Sequence, residues 1–78
     1  MTIGEEIQAV QRALAWNTAD KRRALQLSLE EAASRAGIAA RQWGRIEAGK
    51  SNPTLITLVR VAVVLGVAIG ELFAPVQR

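Results

Sequence analysis

Hydrophobic residues recur at helical intervals from the first residues of the chain. One apolar stripe at i, i+4, i+7 and i+11 comprises Ile3, Ile7, Val10 and Leu14, which predicts an amphipathic helix. A second helical stretch over 19–25 carries the basic triplet Lys21-Arg22-Arg23. Asn17 and Thr18 lie between the two stretches and are poor helix formers. The pattern therefore fits either one long helix or two shorter ones.

The middle of the chain predicts two short helices separated by a glycine. Ser28 and Glu31 have the spacing of a capping box, which starts a helix over 29–36. Gly37 ends that helix, because glycine readily adopts the left-handed conformation at a helix terminus. A second helix follows over 40–48. Two short helices joined by a tight glycine turn have the layout of a helix-turn-helix.

The last third predicts two further helices. Pro53 cannot continue a helix, so residues 50–53 form a loop. The segment 55–65 is rich in β-branched residues, which favour strands, but its length, its caps and its helical neighbours favour a helix. A short helix over 69–73 precedes Pro75. We predict an all-α fold, a compact bundle of about five helices.

Composition narrows the possible functions. With 78 residues and 8.4 kDa, the chain forms one small domain. It contains no Cys, no His and no Tyr, so the usual nucleophile, general base and metal ligands are missing. We therefore expect no enzymatic activity, no metal site and no cofactor.

The charge and the hydropathy pattern indicate where the protein acts. A net charge of +3 and a pI near 10.7 favour a polyanionic partner, although an ordinary surface with a small positive excess fits equally well. The acidic N-terminus does not resemble a signal peptide. The longest uncharged apolar stretch, 61–70, is shorter than the roughly 18 residues of a membrane span. We expect a cytoplasmic protein with no membrane segment.

The helix over 40–48 has two different faces. Trp43 and Ile46 lie on the side that packs inward with Ile38. The outward side comprises Ala40, Arg41, Gly44 and Arg45. Arg41 and Arg45 are four residues apart, so both guanidinium groups project from one face beside very small neighbours. This face either contacts a partner or carries two solvated cations.

The chain resembles the lambda-repressor and Cro-like helix-turn-helix family, also called the XRE family. The resemblance covers about residues 21–73, and its most specific part is RIEAGK at 45–50 followed by NPTL at 52–55. It implies a lambda-repressor-like bundle over 18–78, with an N-terminal helical extension over 1–17. It also implies a sequence-specific transcriptional regulator that binds double-stranded DNA as a homodimer.

The resemblance implies roles for individual residues. The helix over 40–48 would lie in the major groove and meet base edges through the residues of its outward side, Ala40, Arg41, Gly44 and Arg45. Phosphate contacts would come from Ser28, Gln42, Lys50, Ser51 and Asn52. Arg22 and Glu47 would form a structural ion pair. An arginine can bind guanine through two hydrogen bonds, so we expect both guanidinium groups to be free of contacts within the chain.

Some residues depart from the family pattern. Leu29 stands where the family has Gln, and Trp43 stands where it has Val, Ile or Leu. Thr18 and Lys21 stand at usually apolar positions of the first helix. These departures raise the questions of where Leu29 packs, and of whether Trp43 is buried.

A second apolar stripe comprises Ile56, Val59 and Val63, at positions where the family shows polar residues at 56 and 63. One hypothesis is that the N-terminal stripe, which ends at Leu14, covers it within one chain. The other is that one of these surfaces forms a homodimer. The regulator could be a phage-type repressor, a restriction-modification controller, or an antitoxin with a toxin partner. A different class remains open, a protein-interaction module that keeps the fold without reading DNA.

Overall fold

The computed structural model describes residues 1–76 and is all-α. Its α-helices are α1 (Ile3–Ala24), α2 (Leu29–Ala36), α3 (Ala40–Glu47) and α4 (Leu55–Leu65), followed by a 3-10 helix at Ile69–Phe73. The predicted all-α fold is confirmed, and the described residues contain no strand. The expected count of about five helices holds only when the 3-10 helix is included. None of these helices is long and apolar enough to cross a membrane.

Helix α1 runs through Asn17 and Thr18 without a break. The Asn17 side chain Nδ2 donates hydrogen bonds to the carbonyls of Leu72 (3.1 Å) and Ala74 (2.9 Å), and thereby ties the C-terminal segment to the middle of α1. Thr18 is fully buried, and its hydroxyl has no hydrogen-bond partner among the described residues. Tertiary contacts thus outweigh the low helix propensity of these residues. The N-terminal extension is the first part of α1.

Local signals set the ends of α2. Ser28 and Glu31 form the capping box, with both reciprocal hydrogen bonds present. Gly37 ends the helix at φ +72°. A Cβ built there would lie 2.9 Å from Nη1 of Arg60, which donates a 3.1 Å hydrogen bond to the Ala36 carbonyl. The turn between α2 and α3 is therefore braced by α4.

The core lies where α2 and α3 meet α1 and α4. Ala32, Ala33 and Ala36 are buried and let α2 approach its neighbours closely. The largest fully buried side chains include Trp43, Ile46, Val61 and Leu72. Leu14 also belongs to this core.

The N-terminal part of α1 projects beyond the core. The molecule measures 37 × 24 × 19 Å, and a 22-residue helix alone is about 33 Å long. We call residues 1–10 the α1 overhang. Its apolar side chains Ile3, Ile7 and Val10 are exposed, although they continue the face that buries Leu14.

The second apolar stripe, which we call the α4 stripe, comprises Ile56, Val59 and Val63. All three side chains are exposed, Val63 by 73%. The α1 overhang is exposed as well, so the hypothesis that it covers the α4 stripe within one chain is wrong. Ile7 and Val10 of the overhang instead line a pocket with Leu58 and Phe73, beside the α4 stripe and not over it. Leu14 is the one member of the N-terminal stripe that packs inside the domain, and it is no longer available to a partner.

Candidate nucleic-acid interface

The inner face of α3 is fixed by one carboxylate. Oε2 of Glu47 accepts hydrogen bonds from Nε of Arg22 (2.6 Å) and from the indole N–H of Trp43 (2.5 Å), while Oε1 accepts from Nη2 of Arg22 (2.9 Å). The Arg22 and Glu47 side chains are only 13% and 10% exposed. The remaining Nη1 of Arg22 donates to the Leu27 carbonyl at 2.9 Å. One two-point ion pair thus joins α3 to the end of α1.

This ion pair has an electrostatic consequence for Arg22. Its hydrogen bond to the Glu47 carboxylate raises the pKa of the Arg22 guanidinium above its usual value. The group therefore stays charged at every accessible pH. We call the linked side chains Arg22, Trp43 and Glu47 the inner network.

The sequence did not indicate that Trp43 would take part in this network. Its ring is fully buried, which answers the question raised by its size. The spacing of Trp43 and Glu47 could have indicated the hydrogen bond between them, because side chains four residues apart lie on one helix face. An aliphatic residue at position 43 would fill the core but could not donate the hydrogen bond. Trp43 therefore combines packing with the orientation of the carboxylate.

The outer face of α3 carries only positive charge. Arg41, Gln42 and Arg45 are exposed, and Ala40 and Gly44 are partly buried. Glu47 is the one acid in the sequence of α3, and it is neutralised by Arg22 on the inner side. Within residues 1–76 the Arg41 guanidinium makes no hydrogen bond or ion pair, so all its donors face solvent. The described structure leaves Arg41 available to a polyanion.

The Arg45 guanidinium, unlike that of Arg41, makes a hydrogen bond within the chain. Its Nη2 donates a 3.2 Å hydrogen bond to the carbonyl of Lys50, and the Lys50 amide donates to the Arg45 carbonyl at 3.1 Å. The expectation that both guanidinium groups are free of contacts within the chain is therefore wrong for Arg45. The physical reason is its place in the last turn of α3, where carbonyls beyond the helix end need donors. The side chain remains exposed and keeps further N–H donors.

The side chain of Leu29 lies beside Gly44 in the middle of α3. A Cβ built on Gly44 would lie 3.7 Å from Cδ1 of Leu29, which is an ordinary van der Waals distance. Leu29 is partly buried and packs against the core. The residue that departs from the family pattern thus joins the start of α2 to the middle of α3 by an apolar contact. Packing alone would accept alanine at position 44.

The loop after α3 carries three of the predicted phosphate contacts. Lys50 and Asn52 are exposed, and Ser51 is partly buried. Nε2 of Gln11 donates a 3.0 Å hydrogen bond to the Ser51 carbonyl, which holds the loop against α1. The Lys50 backbone is held by Arg45, as described above. Both ends of this basic loop are therefore positioned by side chains.

The two other predicted phosphate contacts lie at helix starts. Ser28 caps α2, with its hydroxyl accepting from the Glu31 amide at 3.0 Å and its own amide donating to Oε1 of Glu31 at 2.8 Å. The hydroxyl hydrogen of Ser28 remains able to donate. Gln42 is exposed, and its Nε2 lies 3.4 Å from the Thr57 hydroxyl near the start of α4. Its side chain thus bridges α3 and α4.

Comparisons with known proteins agree with this geometry. The model of the family HTH_3, described as Helix-turn-helix, matches residues 19–72. A protein from Sinorhizobium fredii, the uncharacterized HTH-type transcriptional regulator y4dJ, is 39% identical over 62 residues, which span 80% of each chain.

Solved structures share the fold. The hypothetical transcription factor NHTF from Neisseria superposes with a TM-score of 0.83 at 29% identity, over 88% of this chain and 78% of that one. The restriction-modification controller protein C.AhdI from Aeromonas hydrophila gives a TM-score of 0.77 at 27% identity, over 81% of this chain and 96% of its own. An HTH_3 family transcriptional regulator from Vibrio cholerae gives 0.80 at 29% identity, over 87% of this chain and 38% of that one.

Proposed function

The chain belongs to the HTH_3 helix-turn-helix family of DNA-binding transcriptional regulators, and from this premise we propose that it is a sequence-specific, dimeric regulator that reads the major groove with α3. The observation that carries the proposal is the outer face of α3. Within residues 1–76, Arg41 on this face makes no hydrogen bond or ion pair, while the acid of the same helix is turned inward and paired. A helix with this division of charge attracts a polyanion and does not repel it.

Base recognition is assigned to the outward side of α3. Arg41 would donate two hydrogen bonds to O6 and N7 of a guanine. Arg45 would contact DNA through the donors that its bond to Lys50 leaves free. Gly44 lies between them without a side chain, so the helix backbone can approach the base edges closely, and the methyl of Ala40 suits a thymine methyl.

Backbone contacts are assigned to the surrounding polar groups. They come from Ser28, Gln42, Lys50, Ser51 and Asn52, which would fix the register of α3 without reading sequence. Lys50 supplies the charge, so its contribution depends on salt concentration. Ser28 supplies a hydroxyl at the N-terminal end of α2, where free amide groups favour a phosphate.

The test combines selection of bound sequences from random duplex DNA with a salt titration. We expect an enriched palindromic site and an affinity that falls by several logarithmic units per unit of log salt. Arg41→Ala should relax the preference at one base position, whereas Lys50→Ala should weaken binding to all sequences alike. Arg35→Ala is the matched control, because Arg35 is an exposed arginine in the last turn of α2 to which no DNA contact is assigned. Uniform, weak binding without an enriched site would contradict the proposal and favour an interaction module.

A narrower candidate is a controller that regulates its own operon. The similarity to C.AhdI, a restriction-modification controller matched over 96% of its length, supports this subtype. In that case the selected site should occur upstream of the gene itself. Copurification with a toxin would instead favour the antitoxin alternative.

A further inference from the structure

Two apolar surfaces that remain exposed within residues 1–76 flank one groove. The groove holds about 360 Å³ and receives Ile7 and Val10 from the α1 overhang, Leu58 from α4, and Phe73 from the 3-10 helix. Leu55, one turn before Leu58, is 70% exposed. On the surface of α4, Leu55 lies between Leu58, which lines the groove, and the α4 stripe. The overhang, the groove and the stripe therefore form one continuous apolar patch.

The size of this patch fits a second protein surface. Its exposed side chains are Ile3, Ile7, Val10, Leu55, Ile56, Val59 and Val63. Together they expose an area of the order of 800 Å², which is close to what each partner buries in a stable interface of standard size. Exposed apolar patches larger than a few hundred Å² mark interaction sites.

We propose that this patch is the homodimer interface, with the α1 overhang of one protomer lying on the α4 stripe of its partner and the reverse contact completing the pair. The proposal rests on the proposed function only for the expectation of a second copy, and it names the surfaces that the copy uses. In a two-fold dimer the same patch serves both protomers, so two different stripes on one patch can pair reciprocally. Residues 1–8 of the α1 overhang are all exposed, so its apolar side chains are accessible to another chain.

The charges favour the pairing of overhang with α4 stripe over the two symmetric alternatives, in which α4 packs on α4 or overhang packs on overhang. Glu6 of the α1 overhang lines the groove beside Ile7 and Val10, and Arg60 is the single charged residue in the sequence of α4. Packing α4 on α4 would bring two copies of Arg60 to one interface, and packing overhang on overhang would bring two copies of Glu6. Pairing the overhang with the partner's α4 stripe brings opposite charges together instead. Complementary charge of this kind fixes the register of an interface.

The interface also reaches the proposed phosphate contacts. Gln11, at the base of the overhang, holds the Ser51 carbonyl, and Ser51 and Asn52 line the same groove. Formation of the dimer would therefore immobilise the loop that carries Lys50. We expect variants that break the dimer to lose affinity for DNA even though they leave α3 unchanged.

Disulfide cross-linking tests which surfaces meet, since the chain has no cysteine of its own. Ile7→Cys and Val59→Cys are prepared as separate full-length proteins, mixed, and oxidised with a copper catalyst in the absence of DNA. We expect a mixed disulfide between the two variants and little cross-linking of either variant alone. Efficient Val59→Cys homodimers, efficient Ile7→Cys homodimers, or no cross-link at all would each overturn the proposal.

Charge reversal supplies a second measurement. Glu6→Arg and Arg60→Glu should each weaken the dimer about tenfold in sedimentation equilibrium, and the double variant should recover most of the loss, because opposite charges again face each other. Glu30→Arg, an exposed acid on α2, is the matched control and should leave the dimer unchanged. Circular dichroism confirms that Arg60→Glu folds, since Arg60 also bonds the Ala36 carbonyl. A monomeric wild-type protein, or a double variant no better than the singles, would contradict the pairing.

The two proposals fail independently. Arg41→Ala should relax the sequence preference at one base position and leave the mixed disulfide intact. If the mixed disulfide forms and no DNA site is enriched, the dimer stands and the proposed function falls. If a palindromic site is enriched and the mixed disulfide is absent, the function stands and this interface falls.

Discussion

The two faces of α3 differ in whether their charged side chains are paired and buried or exposed to solvent. On the inner face, Glu47 receives three hydrogen bonds from Arg22 and Trp43, and almost no solvent reaches it. On the outer face, Arg41 has no partner within the described chain and Arg45 is bonded only to the Lys50 carbonyl. One helix thus contains both a fixed, neutralised side and an unsatisfied, cationic side. In the proposed function, the residues that orient α3 are therefore separate from the residues that read DNA.

The largest expected effect comes from removing the inner carboxylate. Glu47→Ala leaves Nε and Nη2 of Arg22 and the indole N–H of Trp43 without an acceptor. The loss in free energy of unfolding should be about 3–5 kcal/mol, the usual cost of breaking a largely buried pair. Urea denaturation followed by circular dichroism measures it. Asp20→Ala removes an exposed acid on α1 and should change the same quantity by less than about 0.5 kcal/mol, and equal effects of the two changes would show that the faces do not differ.

The next effect concerns DNA affinity and not stability. Arg41→Ala should weaken binding to the selected duplex by about 1–3 kcal/mol and leave the free energy of unfolding unchanged, because the side chain has no partner in the described chain. Fluorescence anisotropy with a labelled duplex measures the affinity. Arg45→Ala sharpens the comparison, since it should also remove the bond to Lys50 and lower stability slightly. Loss of stability in Arg41→Ala would mean that the outer face is structural.

A smaller effect separates stability from binding at Gly44. Glycine inside a helix costs about 0.5–1 kcal/mol relative to alanine, and the nearest neighbour, Leu29, leaves room for a methyl group. Gly44→Ala should therefore stabilise the fold by roughly that amount while it weakens DNA binding by obstructing close approach. Gly70→Ala, the same exchange in the 3-10 helix, adds a Cβ that meets no atom within 4 Å and should leave DNA affinity unchanged. An unaltered affinity of Gly44→Ala would remove Gly44 from the reading surface.

The smallest effect concerns an exposed carboxylate, Glu31, in contrast to the enclosed Glu47. The amide and hydroxyl of Ser28 lower the pKa of Glu31 in the folded state. Its contribution to stability is therefore fully present above the unfolded pKa and is lost as pH falls through the folded pKa. Thermal melts of wild type and Glu31→Gln should differ at pH 7 and converge under acidic conditions. A difference that grows on acidification would contradict the capping role.

Helix boundaries were predictable because their causes are local. Ser28 with Glu31, Gly37 and Gly66 lie within a few residues of the ends they set, so the sequence around them contains the whole signal. The continuity of α1 was not predictable, because Asn17 finds its acceptors 55 and 57 residues away along the chain. These long-range hydrogen bonds outweigh the low helix propensity of Asn17 and Thr18, which locally favours a break.

The candidate site divides in the same way. The spacing of Arg41 and Arg45 indicated a common face, since that follows from helix geometry alone. The Arg22–Glu47 ion pair was expected from the family resemblance and is present, whereas the bond from Arg45 to the Lys50 carbonyl was not expected. The third donor to Glu47 was also missed, because tryptophan at a core position is ordinarily read as packing alone. The exposure of the α4 stripe was also not predictable, because it depends on how the α1 overhang lies relative to α4, and the sequence around either stripe carries no information about that.

The burial of Trp43 gives the protein an intrinsic optical probe. The chain has two tryptophans and no tyrosine, and Trp16 is 40% exposed while Trp43 is fully enclosed. Fluorescence emission from Trp43 should lie at shorter wavelength and shift to the red when α3 leaves the body of the domain. In a Trp16→Phe background, the emission spectrum would follow the position of α3 during titration with DNA, with no attached dye.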